Sequence, residues 1–429
     1  MRMFIKEVAA SLYPWDLHDE GADHCIDTLA EHANVNSVYL VGIMHKEKRP
    51  LRELYYPHNP KRKFYTPEDS CVYYRLDQAD FANTPLKPIY STVDFLKDTD
   101  WLDVLIESAR SRKKKVGVEI SHTIFDASIA KRDFPYLLQR KIDGSLLSLL
   151  CPNHEHVREY IRGLFHSSVK QHDVDFIQSC LILFAEGGKM GWNNHAVADE
   201  KELHVLLSTV DAGCFCGACR AKAMAMGYDW DRIVSDLQQL SQIRNGVELS
   251  DALGKKLLEQ SNLSATALLL QVPSLYQWLE FRQKSITSLF KDIHQAVKSA
   301  NPRVEFRYNT YLKYPELSGL DFAAIRDYID SIRESDYSEM WGTTEQLAAK
   351  RQKILKIRSG IGYDKDVIAA IDVRPNVKGE SNEDIIKRSV KLISNLGIDG
   401  LSLGHYDEAT LSRLHAVKAG MEESEMLIY

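Results

Sequence analysis

The stretch Val174-Asp175-Phe176-Ile177-Gln178-Ser179-Cys180-Leu181-Ile182-Leu183-Phe184 decides the fold. It is a β-rich run, and a helical pattern from Glu155 to Gln171 leads straight into it. Ahead of that helix stands another β-rich run, Lys115 to His122, itself preceded by a helical pattern from Asp100 to Arg112. Strand, helix, strand at this spacing is the pattern of parallel strands joined by crossover helices, since parallel neighbours cannot be joined by a tight turn. The alternation continues outward in both directions. Toward the N-terminus lie Met3 to Leu12, a helix from Ala22 to His32, and Ser37 to His45. Toward the C-terminus, the helix Ser274 to Ala300 precedes Arg303 to Asn309, and Tyr328 to Ser335 follows. Helix Thr344 to Ser359 then precedes Val367 to Arg374, and helix Asn382 to Asn395 precedes Gly400 to Tyr406. Eight strand segments alternating with helices predict a closed (β/α)8 TIM barrel, and 429 residues fit that fold with insertions. No Gly-x-Gly-x-x-Gly follows the first strand, which weighs against an open dinucleotide-binding sheet. The organisation expected is one barrel domain over 1–429, with long insertions at 46–95 after strand 2 and at 186–272 after strand 4.

The composition, 44% hydrophobic and 27% charged, is that of a folding chain. A net charge of -6 argues against binding nucleic acid by bulk attraction, and the basic runs Lys61–Lys63 and Arg112–Lys115 are short enough to be solvated loop and helix end. No stretch approaches the roughly 18 apolar residues that span a bilayer, so no membrane partner is expected. No secretory leader is visible, and an odd cysteine count of 7 suits a reducing compartment. The expectation is a cytoplasmic protein, or an exported one if a leader has been removed.

Cys214-Phe-Cys216-Gly-Ala-Cys219 places three thiols within six residues. That spacing suits three corners of a tetrahedral zinc site better than a disulfide, which these offsets would strain and which would leave one thiol over. The alternative is a set of reduced, metal-free thiols. Cys25, Cys71 and Cys180 read as ordinary buried thiols.

In a barrel of this kind the chemistry sits at the C-terminal ends of the strands. The ends supply Tyr13, Trp15, Asp16 and His18 after strand 1, His45 after strand 2, and Glu119 and His122 on strand 3. Glu186 follows strand 4, Arg307 and Asn309 lie on strand 5, and Asp336 and Glu339 follow strand 6. Asp372 and Arg374 end strand 7, and His405, Tyr406 and Asp407 end strand 8. Carboxylates set among aromatic rings suit a sugar site, with carboxyl groups for acid–base work and rings for stacking on pyranose faces. Several members also have a structural reading: Glu119 and Arg307 as partners in an ion-pair layer inside the barrel, His122 as a satisfied histidine, Trp15 as packing.

The segment Cys151-Pro152-Asn153-His154-Glu155-His156-Val157-Arg158-Glu159-Tyr160, its helix, the strand with Ile177-Gln178, and the cysteine triplet resemble the glycoside hydrolase family 42 β-galactosidases and the wider glycosyl-hydrolase-like TIM barrels. Trp278-Leu279-Glu280-Phe281-Arg282 is similar as well, and the match spans about residues 145 to 285. The resemblance implies a structural zinc held by Cys151 with Cys214, Cys216 and Cys219, and a tendency to form homo-oligomers; His204 is a substitute ligand that the chain itself offers. It also implies an acid/base after strand 4 and a nucleophile at the end of strand 7. The family has Asn-Glu at the first place, where this chain has Ala185-Glu186, and Glu at the second, where this chain has Asp372.

The expected activity is hydrolysis of a glycosidic bond. Glu186 would serve as acid/base, Asp372 as nucleophile or base, and Asp336 as substitute for either. Tyr13 and Trp15 would stack on the sugar, and Asp16, His45, Glu119, His122, Arg307, Asn309, Arg374, His405 and Tyr406 would complete the substrate site. No organic cofactor is expected. Two alternatives stand beside it. One is a divalent-metal sugar isomerase or lyase built on Glu119, His122, Asp372 and His405; the other is a carbohydrate-binding barrel without catalysis.

Overall fold

The structure, a computed structural model, describes residues 3–44, 54–65, 71–120, 125–180, 183–184, 202–245, 264–312, 314–340, 342–375 and 382–429. Eight strands form a ring: β1 (Glu7–Leu12), β2 (Ser37–Met44), β3 (Lys115–Ile120), β4 (Phe176–Ser179), β5 (Glu305–Thr310), β6 (Ser331–Glu334), β7 (Asp366–Asp372) and β8 (Gly400–Gly404). Each pairs in parallel with its neighbour in sequence, and β8 pairs with β1, so the sheet closes. Outside it run α1 (Ala22–Ala33), α2 (Trp101–Ser111), α3 (Glu155–Gln171), α4 (Pro273–Ala300), α5 (Phe322–Ile325), α6 (Thr344–Ile361), α7 (Asn382–Ile393) and α8 (Leu411–Glu423). The (β/α)8 barrel is therefore present.

Local chemistry sets the helices. Asp100 caps α2 by accepting from the amides of Leu102 and Asp103, and Thr343 caps α6 through Gln346. Pro273 opens α4, whose buried Leu275, Trp278, Phe281, Leu289, Ile293 and Val297 recur at helical spacing and seal one stripe against the barrel. The first predicted strand is two pieces. Met3–Ile5 leaves the ring and pairs with Met426–Ile428, and the barrel strand proper begins at Glu7.

The main apolar core lies between the ring and its helices. The inside of the ring is mostly polar. At its N-terminal end Arg307 donates to both oxygens of Glu7 (2.7 and 3.1 Å) and pairs with Glu305 at 2.9 Å. Above this layer Ala9, Tyr39 and Phe176 make a small separate apolar plug, and a Cβ at Gly117 would stand inside the Phe176 ring. Higher still, Arg333 donates to Ser402 (2.8 Å) and Ser335 (2.8 Å), and Gln178 donates to Glu119 at 2.6 Å.

Between β2 and α2, residues 54–65 fold over the rim. His58 sits between Glu20 (2.9 Å) and the Tyr406 carbonyl (2.7 Å), and Asn59 and Arg62 bond Asp19. Burial alone would lower the His58 imidazole, but Glu20 and that carbonyl hold it above its ordinary value. Between β4 and α4 lie the helices Glu202–Ala212, Gly217–Ala225, Trp230–Asn245 and Ala265–Gln271.

Candidate active site at the mouth of the barrel

Strand alternation decides which residues reach the mouth, because successive side chains point to opposite faces. On β7 the odd set Val367, Ala369 and Ile371 joins the outer core, which turns Asp372 inward. Asp372 is fully buried, and Arg374 grips it through Nε at 3.0 Å and Nη2 at 2.9 Å. Its backbone amide donates to Glu339 at 3.1 Å, and Glu339 is held in turn by Lys350 and Ser389. The guanidinium of Arg374 lies 5.3 Å from the Tyr337 ring centre, and the His405 ring lies 5.3 Å from the same ring.

Across the mouth, Tyr13 is half-buried and stacked on Trp15, with ring centres 4.5 Å apart and planes within 7°. Burial, then the negative charges of Asp407 and Glu119, push the Tyr13 phenol up, so residues from the ends of β1, β3 and β8 act on one hydroxyl. Asp16 accepts from the Tyr13 amide at 2.8 Å. Burial and the charge of Asp407 raise the Asp16 carboxyl well above the usual range. Asp407 itself is pushed up to about 8 by burial and by Glu408. Its Oδ1 is buried with no hydrogen-bond partner among the described residues. Asn309, also buried, leaves both amide atoms without a partner. Buried polar atoms are normally satisfied, so unpartnered ones at a mouth are places for ligand hydroxyls.

Glu119, Asp16, Asn309, Asp372, Arg374, His405 and Tyr13 thus lie toward one mouth, while four expected members are placed otherwise. Arg307 sits in the ion-pair layer at the opposite end of the barrel and cannot reach a substrate at the mouth. Asp336, two residues past the end of β6, is turned outward to Lys353 (2.5 Å) and Ser338, between the ring and α6. Trp15 is 1% exposed and packs behind Tyr13 against Tyr65 and Tyr73, so the accessible face of the stack belongs to Tyr13. Tyr406 gives its hydroxyl to Glu20 at 3.0 Å and its carbonyl to His58, serving the rim segment. His45, His122 and Glu186 lie outside the described residues. Sequence reasoning did not assign Arg333, Tyr337 and Gln178 to the site, although counting by twos from Ser331 turns Arg333 inward.

Beside the mouth, the Sγ atoms of Cys151, Cys214, Cys216 and Cys219 all lie within 4.8 Å of one another, and all four residues are buried. Cys151 Sγ is 3.5 Å from both Cys216 and Cys219. A tetrahedron with Zn–S bonds of about 2.3 Å has edges of about 3.8 Å, so the donor set fits zinc. Backbone N–H of Arg140 donates to Cys214 Sγ at 3.3 Å, and Asn153 Nδ2 donates to Cys219 Sγ at 3.4 Å, contacts that favour thiolates. Gly213, at φ +100°, lets this loop approach: a Cβ there would meet the Arg140 carbonyl, which accepts from Phe215 at 2.9 Å. The other described group spaced to share an ion is Asp100, Asp103 and His172, where Asp100 is already the α2 cap. Glu119, Asp372 and His405 form no such group among the described residues.

No protein-family model matches the sequence, and a search of curated proteins finds no match. Solved structures do share the fold. The glycoside hydrolase domain of PgaB (BpsB) from Bordetella bronchiseptica is 12% identical, with 99% of each chain covered and a TM-score of 0.59. A cold-adapted β-galactosidase from Rahnella sp. R3 is 13% identical with a TM-score of 0.56, over 98% of this chain and 57% of that one. The α-L-fucosidase isoenzyme 2 from Paenibacillus thiaminolyticus is 12% identical with a TM-score of 0.53, over 99% of this chain and 50% of that one. This chain therefore spans about half the length of the latter two. At these identities the likeness is one of fold alone: the (β/α)8 barrel is shared with solved glycoside hydrolase structures, a family 42 β-galactosidase among them. Among the described residues no helix is long and apolar enough to cross a membrane.

Proposed function

We propose that this chain is a glycoside hydrolase whose reaction takes place at the C-terminal mouth of the barrel. The observation that carries the proposal is a pair of buried carboxyl groups in opposed settings: Asp372 ion-paired with Arg374, and Asp407 pushed up to about 8. A buried carboxyl that keeps its proton suits the acid, and one held by a guanidinium suits the nucleophile or base. Asp372 attacks the anomeric carbon or activates water. A protonated carboxyl donates to the leaving oxygen; Glu186 and Asp407 are the two residues proposed for that step. Tyr13 stacks on the sugar face, and Asn309 takes up hydroxyls with both amide atoms. The glycosidase names of the structural neighbours support the substrate class, and the four cysteines are proposed to hold a structural zinc, closed to substrate by four protein ligands.

A panel of nitrophenyl glycosides tests this. One or more should be hydrolysed, and Asp372→Asn should lose at least about a thousandfold of that rate, in line with loss of a reacting group, while its circular dichroism stays unchanged. Wild-type turnover in Asp372→Asn would refute the assignment. Binding of glycans by the native protein with no turnover would leave a lectin-like barrel.

A further inference from the structure

We infer that His58 is a positioning residue for the proposed proton donor: Glu20 fixes its ring, its Nε2–H clamps the turn that carries Asp407, and its positive charge stands beside that carboxyl. The inference rests on the reading of Asp407 as an acid and adds the group that holds and tunes it.

Three elements meet at this point. Glu20 ends the short helix Pro14–Glu20 after β1, and His58 comes from the rim segment after β2. Asp407 lies in the short helical turn Tyr406–Glu408 after β8. That turn starts at His405, whose φ of +67° is left-handed and disfavoured for any residue with a Cβ. Within the turn, the Glu408 amide donates to the His405 carbonyl at 3.2 Å and the Ala409 amide to the Tyr406 carbonyl at 3.0 Å. His58 Nε2 donates to that same Tyr406 carbonyl at 2.7 Å. This carbonyl belongs to the peptide bond whose nitrogen is that of Asp407. The Tyr406 side chain is held by the same pair: its hydroxyl donates to Glu20 at 3.0 Å, and its ring centre lies 4.3 Å from that of His58. A backbone conformation that is costly alone persists where its surroundings over-determine it.

Glu20 also sets the charge. Nδ1 of His58 lies 2.9 and 3.0 Å from the two Glu20 oxygens. A carbonyl and a carboxylate only accept, so both ring nitrogens carry protons and the ring is an imidazolium. Burial opposes that charge, and Glu20 with the carbonyl outweighs it. Asp407 receives the charge. Burial and Glu408 push its carboxyl up, while Arg374 and His58 pull the other way. Asp16, Tyr13 and Tyr56 lie in the field of the same carboxyl, and none of them is a cation. Arg374 is committed to Asp372, so His58 is the cation whose replacement leaves the Asp372 pair in place.

Two titrations of the full chain test this, one of them without turnover. Infrared difference spectra across neutral to alkaline pH should show a protonated-carboxyl band that Asp407→Asn removes. In the wild type the band should be lost near pH 8. In His58→Gln it should be lost at a pH higher by about 0.5 or more, since a positive neighbour is gone. On an aryl glycoside that the wild type hydrolyses, the alkaline limb of kcat/KM should move up by the same amount. His58→Ala should also lower the rate on the acid side of that limb by about tenfold, the cost of a displaced acid. His58→Gln, whose amide N–H can reach the same carbonyl, should recover most of that loss. A band that titrates at the wild-type pH or lower in His58→Gln would overturn the inference, as would no band assignable to Asp407 or wild-type rates in His58→Ala. If the band moves as expected but no glycoside is turned over, the glycosidase reading falls and the hold of His58 on Asp407 stands.

Discussion

Arg307 and Arg333 stand on adjacent strands, both turned into the barrel, and their partners give them different work. Arg307 is clamped by Glu7 and Glu305, and its guanidinium lies 4.2 Å from the Phe176 ring centre. Arg333 is bonded to hydroxyls of Ser402, Ser335 and Tyr337, on the floor of the mouth. The first is a structural cation. Glu7→Gln should cost about 3 kcal/mol of stability, because it leaves a buried guanidinium poorly compensated. Turnover per folded molecule should not change, and denaturant melts beside specific activity check both halves. The sequence could not separate Arg307 from Asn309. Both are inward on β5, and two residues along a strand amount to about 6.7 Å, enough to move a side chain from a mouth to a lower layer. The inward placing of Asp372 at the mouth was legible because it is the last residue of its strand, whereas Asp336 lies two residues past the end of β6, where strand alternation no longer says which way a side chain turns.

At the scale of elements, the alternation of strands and helices was legible, and the ends of strands were less so. Val174 to Phe184 reads as one apolar run, yet the ladder keeps only Phe176–Ser179. Hydropathy reports burial, and burial continues past the last ladder bond at Leu183 and Phe184. Helix α8 carries its buried stripe on Leu414, Ala416, Val417, Gly420 and Met421, where the small Ala416 and Gly420 add little hydropathy to the pattern. The cysteine loop is the element whose sequence spacing transferred most directly into geometry, since ligand offsets are local. Metal analysis should find about one zinc per chain. Removing it with a chelator should lower Tm by several degrees, as expected when ligand-linked stability of a few kcal/mol is lost. A protein that contains no zinc and melts unchanged in chelator would contradict the site.

For the whole molecule, two buried carboxyl groups tie stability to pH. Burial and neighbouring charge push Asp407 up to about 8, and burial with Asp336 does the same for Glu334. A carboxyl whose pKa is higher folded than unfolded stabilises the fold while it keeps its proton. That contribution is complete below about 4 and is lost as pH rises toward 8. Tm should therefore fall from pH 5 to pH 8 and level off above, and Glu334→Gln should flatten the fall by more than about 1.4 kcal/mol, the value of one pKa unit. His58, also raised in the fold, contributes in the same direction above its ordinary range. If Asp407 is the proton donor, the alkaline limb of kcat/KM should fall near 8 and disappear in Asp407→Asn.

The account rests on Asp372 standing where the anomeric carbon of a sugar will be. Replacing it with glycine and adding azide measures this most directly: an activated aryl glycoside should not turn over without azide, and added azide should restore turnover with a glycosyl azide as product, since the small anion fills the vacated carboxylate position. Undiminished hydrolysis by Asp372→Gly without azide would contradict the account.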